Sequence, residues 1–333
     1  MAIRKSDYEN YDYQEFWKEG KRLYEDRAER LALRKFLKGV KEDSKLFLDV
    51  GCGYGRLFNE YKNFKNIILV DYSLKNLKTA RDNIGKFLKF DSEKLFSSMI
   101  YFIAADASCL PLKSECADVV LTVRVVHHLS YPEKYFDEVA RVLKNEGLYF
   151  LEFANKRNLK NILKYIIGRM HISPFNLIPS QVGETILNFH PKYIISLLKS
   201  RGFTMKELIS MSNFRLEFFK KHIGVELLLF FEKLYQRFFS FAAFGPSIFL
   251  KSTLRQEARN ANLTSSSSDN SLIVGDSSNK KLVSKKDYKI RIENILICPY
   301  CKKDSLIFSK NKISCRSCGR HFLVEDGIYN FKV

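Results

Sequence analysis

The eleven residues Phe47-Leu-Asp-Val-Gly-Cys-Gly-Tyr-Gly-Arg-Leu57 constrain this chain more than any other segment. A short apolar run ends in a turn with glycine at alternate positions, Gly51, Gly53 and Gly55. Glycine tolerates positive φ and lets a ligand come closer to the backbone than any Cβ would permit. Asp49 sits at the end of the apolar run, where open α/β sheets place their ligands. The spacing is G-x-G-x-G and not the G-x-G-x-x-G of dinucleotide folds, so a nucleotide cofactor is expected but a pyrophosphate is not.

Three later runs repeat the pattern of a β-favouring segment that ends near an acid or a functional side chain. Asn66-Ile-Ile-Leu-Val-Asp71 is followed by Tyr72. An acid about 20 residues beyond the glycines is suited to accept two hydrogen bonds from a ribose. Ile100 to Ala107 carries Asp106, and Ala117 to Val123 leads into Arg124-Val-Val-His127-His128-Leu129. A fifth run, Gly147 to Phe153, follows a predicted helix. Farther on, Phe203–Met211 and 246–253 read as a sixth and a seventh strand. A helix over 189–202 lies before them, with Pro191 in its first turn and Gly202 at its C-cap.

Taken in order, these motifs resemble the Rossmann-like S-adenosylmethionine-dependent methyltransferases (methyltransferase type 11-like), whose first motif runs D/E-x-G-x-G-x-G. The resemblance implies an α/β fold with a seven-stranded methyltransferase sheet and methyl transfer by in-line displacement. It puts Asp49, Gly51, Gly53 and Gly55 beside the methionine moiety of S-adenosyl-L-methionine. Asp71, with Tyr72 next to it, falls at the ribose, and Asp106 with Ala107 at the adenine. His127 and His128 fall where the acceptor would enter, and either imidazole could serve as general base, although a packing role for both is the plainer reading. The Asn/Asp-Pro-Pro-Tyr signature of many amino-group methylases is absent at this position, which disfavours exocyclic amines of nucleobases as acceptors.

Outside this core the chain reads as segments. Residues 1–44 form an N-terminal helical segment in which Tyr24 and Arg27 are candidate cofactor contacts, with ordinary packing as the alternative. The methyltransferase domain spans 45–255 and carries substrate-side insertions at 156–190 and 214–245. The first insertion is irregular and interrupted by Pro174 and Pro179; the second is an apolar helix, read as a lid, a greasy pocket or a membrane-facing face. Residues 256–288 have the Ser-rich composition of a flexible linker.

Charge is concentrated in one part of the chain. Of a formal net charge of +19, residues 156–260 hold 17 Lys and Arg against six Asp and Glu. RNA or an anionic membrane surface is the expected partner of such a segment, unless it is simply a solvated face.

Residues 289–333 carry Cys298-Pro-Tyr-Cys301 and, after thirteen intervening residues, Cys315-Arg-Ser-Cys318. Two Cys-x2-Cys turns complete a tetrahedral four-sulfur site for structural Zn2+, with no open position for chemistry. A redox dithiol or an iron–sulfur site is the alternative, and His321 is not needed as a ligand. The following Asp326-Gly-Ile328 makes the segment resemble the zinc-ribbon activator subunit of tRNA, rRNA and release-factor methyltransferases, with Tyr329 where that family has proline. In that family the ribbon is a separate chain. Here it is read as a separable module.

Seven cysteines, four in metal-like pairs and three scattered, point to a reducing, cytoplasmic setting, peripheral to a membrane if the basic segment binds one. No apolar leader follows Met1, and the uncharged stretch 238–250 is too short to span a bilayer. The expected function is methylation of a small or lipid-like acceptor. RNA or protein methylation and a non-catalytic cofactor-binding scaffold are the alternatives.

Overall fold

The computed structural model describes residues 14, 15, 17, 20, 22–42, 45–90, 99–255 and 290–332. The linker reading of 256–288 and the start of the N-terminal segment lie outside the described residues. The first half of the chain alternates strand and helix: α1 (Leu23–Leu37), β1 (Leu46–Val50), α2 (Phe58–Tyr61), β2 (Asn66–Asp71), α3 (Leu74–Phe90), β3 (Met99–Ala104), β4 (Ala117–Thr122), α4 (Pro132–Val142) and β5 (Leu143–Ala154). The insertion that follows holds α5 (Leu159–Ile166) and the hairpin β6 (Ser180–Val182) and β7 (Ile186–Asn188), then α6 (Pro191–Lys199) and β8 (Phe203–Met211). The second insertion is α7 (Glu217–His222) and α8 (Val225–Phe238), before β9 (Ser247–Leu254). The C-terminal segment is all strand: β10 (Leu306–Phe308), β11 (Lys312–Cys315), β12 (His321–Glu325) and β13 (Ile328–Asn330).

Strands β3, β2, β1, β4 and β5 lie side by side in parallel, and β9 runs antiparallel between β5 and β8. Central parallel strands are covered on both faces, which is why they read as unbroken apolar runs. Alternation then divides each strand between two cores. Leu48, Ile68 and Val120 pack on the α4 and α6 side, while Phe47, Ile67 and Val119 pack with α1, α2 and α3. Strand order reverses direction at β1, between β2 and β4. In open α/β sheets ligands bind at such a switch point, here beside the carboxyl ends of β1 and β4.

The cysteine-bearing segment is continuous with this sheet. β13 pairs in parallel with β3, matching Ile328 to Phe102 and Asn330 to Ala104, so β10 to β13 extend the sheet beyond β3. Phe331 N–H donates to the Ala104 carbonyl at 2.8 Å, and Ile297 N–H to that of Pro111 at 3.0 Å. Leu296, Ile313, Phe322 and Phe331 are buried in the same core as Leu48 and Val120. Among the described residues, the ribbon therefore forms one edge of the sheet.

The first insertion also differs from the irregular reading. Asn158 caps α5 by accepting from Asn161 N–H at 3.0 Å, and the helix ends before the prolines. No residue of α5 is buried.

Candidate functional site

The turn after β1 has Gly51, Gly53 and Gly55 all at positive φ. At Gly51 a Cβ would overlap the Val125 side chain in addition to the backbone cost, so the position excludes every larger residue. Gly51 and Cys52 N–H both donate to the Val70 carbonyl, tying the start of the turn to β2.

The three acids stand where the strand ends put them, and they play different parts. Asp71 ends β2; its Oδ2 accepts from Gly53 N–H at 2.8 Å and its Oδ1 from Ser73 N–H at 2.9 Å. Asp49 is buried and accepts a hydrogen bond from the Tyr61 hydroxyl. Burial pushes its carboxyl up to about 7; the Tyr61 hydrogen bond and Arg56 oppose the rise and the Asp71 charge adds to it. Asp106 lies just past β3, exposed, with Oδ1 accepting from Ser108 N–H at 2.8 Å in a tight turn; Ala107 is half-buried. Tyr72 is exposed, and the Lys332 ammonium sits 4.9 Å from its ring centroid. The last residues of the ribbon thus reach the rim of the site.

His127 and His128 form a short 3-10 turn, Val126–His128, after β4. Their ring centroids are 4.2 Å apart. Burial lowers the affinity of both rings for a proton, strongly for His127, where neighbouring His128 and Arg124 add to the effect. Both rings are therefore neutral at neutral pH, the state a base requires. His128 Nδ1 lies 3.1 Å from the Thr185 carbonyl in the β6–β7 hairpin, so that nitrogen carries the proton and Nε2 is the ring's acceptor. His127 Nδ1 is buried with no hydrogen-bond partner among the described residues.

Several residues around the turn were not apparent from the sequence. Arg56, directly after the third glycine, and Arg124, after β4, both bind the buried carboxylate of Glu29 from α1. Burial alone would raise Glu29, but Arg124 and Arg56 outweigh it and hold the carboxyl below its ordinary range. The Arg56 guanidinium also lies 4.0 Å from the Trp17 ring centroid. Tyr61 gave no signal because it lies in a four-residue helix; an arginine following the last glycine was the available clue. By contrast, Tyr24 and Arg27 do not face the turn. The Tyr24 hydroxyl donates to Glu232 of α8 at 2.6 Å and Arg27 pairs with Glu226, so both hold α1 on the second insertion.

The four cysteines of the ribbon converge, with their sulfurs all within 4.8 Å of one another. Cys298 and Cys318 are 3.6 Å apart, as are Cys301 and Cys315. Four thiolates at about 2.3 Å from a tetrahedral Zn2+ stand about 3.8 Å apart, so the spacing fits the ion. The two turns are built alike: Lys302 N–H donates to the Cys298 carbonyl and Gly319 N–H to that of Cys315, both at 2.9 Å and both from positive φ. Glycine fills this conformation without strain in one turn. In the other, Lys302 adopts it while its ammonium binds Glu138 of α4 at 2.8 Å, anchoring the turn to the main domain.

Residues 48–151 match the family model described as a methyltransferase domain. An uncharacterized protein of Methanocaldococcus jannaschii is 34% identical over 114 residues, which cover 34% of this chain and 43% of that protein. The ubiquinone biosynthesis O-methyltransferase of Pelagibacter ubique is 27% identical over 177 residues, covering 53% of this chain and 66% of that protein. The chain spans about half the length of the archaeal relatives it matches. A crystal structure described as a putative S-adenosylmethionine-dependent methyltransferase from Listeria monocytogenes overlays with a TM-score of 0.47 at 15% identity, covering 69% of this chain and 98% of that one.

Proposed function

We propose that this chain, which carries a Rossmann-like methyltransferase domain, transfers a methyl group from S-adenosyl-L-methionine to a small, lipid-like acceptor. The observation that carries the reading is the hydrogen-bonded unit of Gly53 and Asp71 beside buried Asp49, in a domain matched by the methyltransferase family model. When bound, the cofactor supplies an electrophilic methyl group. Asp71, fixed by two backbone N–H groups, retains lone pairs for the ribose hydroxyls. Asp49 would face the methionine end, and Asp106 with Ala107 the adenine. Of the two neutral imidazoles, His127 is the better candidate to take the acceptor's proton, because its buried Nδ1 lacks a partner.

The acceptor class is supported by relatives whose names specify ubiquinone and menaquinone biosynthesis, and by the exposed apolar side chains of the insertions, the first of which reaches His128 through Thr185. An RNA or protein acceptor is the second reading, favoured by the basic excess over 156–260. Labelled methyl transfer into fractionated cell extract tests both: label in the lipid or small-molecule pool supports the first, label in RNA or protein the second, and no transfer refutes the enzyme reading. The four ribbon cysteines are proposed to hold one structural Zn2+ ion, which has no open position for water or substrate.

A further inference from the structure

The two insertions bring to the surface an amount of apolar side chain that the fold does not use. On α5, Leu159, Leu163 and Ile166 form one stripe at helical spacing, and all three are exposed, Ile166 to 70%. Past the helix the exposure continues through Phe175 to Ile178, itself 71% exposed. On α8, Leu228, Leu229, Glu232 and Gln236 are buried, while Leu227, Phe230, Phe231, Leu234 and Phe238 line the outer side. The start of α5 is tied to the segment that follows α8. Leu159 N–H donates to the Phe244 carbonyl at 2.9 Å, Asn155 binds the carbonyls of Ala243 and Gly245, and Phe241, between α8 and this junction, is 83% exposed. Exposed apolar side chains in this number mark an interaction site.

The charges bordering the stripes have one dominant sign. Residues 156–183 contain five Lys or Arg and no Asp or Glu. Lys160, Lys164 and Arg169 are exposed beside the α5 stripe, and Lys233 and Arg237 on α8. Of the acids nearby, Glu232 is buried, Glu226 is paired with Arg27, and Glu217 and Glu184 are exposed at the ends of the region. Aliphatic stripes gain nothing from the phosphates of a nucleic acid. They gain a good deal from the boundary between headgroups and acyl chains, where lysine and arginine stems extend their charges toward lipid phosphates. We propose that the exposed apolar faces of α5 and α8 lie on the surface of a bilayer containing anionic lipids.

The surface is also connected to the candidate site. The buried Lys156 ammonium, just past β5, binds the Ile178 carbonyl at 2.6 Å and Asn176, and so pins the exposed loop to the sheet. Two residues beyond Ile178 begins the hairpin whose Thr185 carbonyl meets His128. A lipid-like acceptor leaving the bilayer would enter beside the His127–His128 turn; this part of the proposal rests on the methyltransferase reading, whereas membrane docking does not.

Flotation of the full chain with vesicles of phosphatidylcholine, with and without phosphatidylglycerol, tests the proposal. Binding is expected with the anionic vesicles, weaker in high salt, and much weaker with phosphatidylcholine alone. Each basic residue near such a surface contributes about fivefold in affinity, so Lys160→Glu with Lys164→Glu should weaken binding at least about 25-fold. Ile166→Ser with Ile167→Ser should weaken it on both vesicle types, whereas Ile166→Leu with Ile167→Leu should retain it. The proposal is overturned if anionic vesicles do not float the chain. It is equally overturned if single-stranded RNA binds and vesicles do not, or if the apolar faces are occupied by a second copy of the chain. Flotation without any methyl transfer would remove the enzymatic reading and leave membrane docking standing.

Discussion

The carboxylate of Asp71 accepts a hydrogen bond from Gly53 N–H at 2.8 Å, which makes the end of β2 and the glycine turn after β1 one rigid unit. An acid expected only to meet a ligand also shapes the loop that would hold it. Asp71→Ala should leave two backbone donors unpaired as well as losing the ribose contacts. At about 1.5–3 kcal/mol for a hydrogen bond to a charged group, loss of cofactor affinity should exceed tenfold. Asp71→Asn, which keeps one acceptor oxygen, should fall between. Calorimetric titration with S-adenosyl-L-methionine measures both, and unchanged affinity in Asp71→Ala would refute the assignment.

Asp49 makes cofactor affinity depend on pH. Its carboxyl is raised to about 7, so the folded, ligand-free protein holds a proton there that the unfolded chain releases near pH 4. That contribution to stability is present below the unfolded value and is lost as pH rises through about 7. A cationic ligand favours the carboxylate, so binding of S-adenosyl-L-methionine should tighten from about pH 6 to about pH 8. The neutral thioether product should respond less, and Asp49→Asn should abolish the difference. Affinity profiles for the two ligands provide the check.

The lowered proton affinity of His127 gives a distinct pH signature. A base that stays neutral below the ordinary imidazole value of about 6.5 remains active as pH falls through it. At saturating cofactor, kcat should hold down to about pH 6, and His127→Gln should reduce kcat with little change in cofactor affinity. A kcat profile that falls at or above pH 6.5 would rule out His127 as the base.

Removal of the ribbon should destabilise the main domain. Without β13, strand β3 becomes an exposed edge, and Leu110 and Leu112 lose the cover of Leu296 and its neighbours. Residues 1–255 alone should melt well below the full chain and aggregate. Chelation of the metal, or Cys315→Ser, should lower the melting temperature in the same direction by a smaller amount, since the β13–β3 pairing can partly persist. Thermal melts with parallel metal analysis decide this; equal melting of truncated and full chains would contradict it.

Much of the sheet was legible because its strands are short apolar runs that end in glycine or acid, a pattern local in sequence. Asp49, Asp71 and Asp106 are placed by those same ends. The pairing of Ile328 with Phe102 could not be read, because nothing local to either segment specifies a partner so distant in the chain. Glu29 with Arg56 and Arg124 was hidden for a related reason: charged residues in separate elements give no period. Helix α5 was missed because its apolar stripe faces outward, between segments broken by proline, and so did not register as part of a core.

The β13–β3 pairing joins two parts of a single polypeptide. If they were separate chains, the complex would have an assembly constant and would come apart on dilution. Covalent continuity replaces that constant with an effective local concentration, on the order of millimolar for tethered segments. Every main domain therefore carries its own ribbon at fixed one-to-one dosage, and its occupancy is the same in a dilute assay as in a crowded cell.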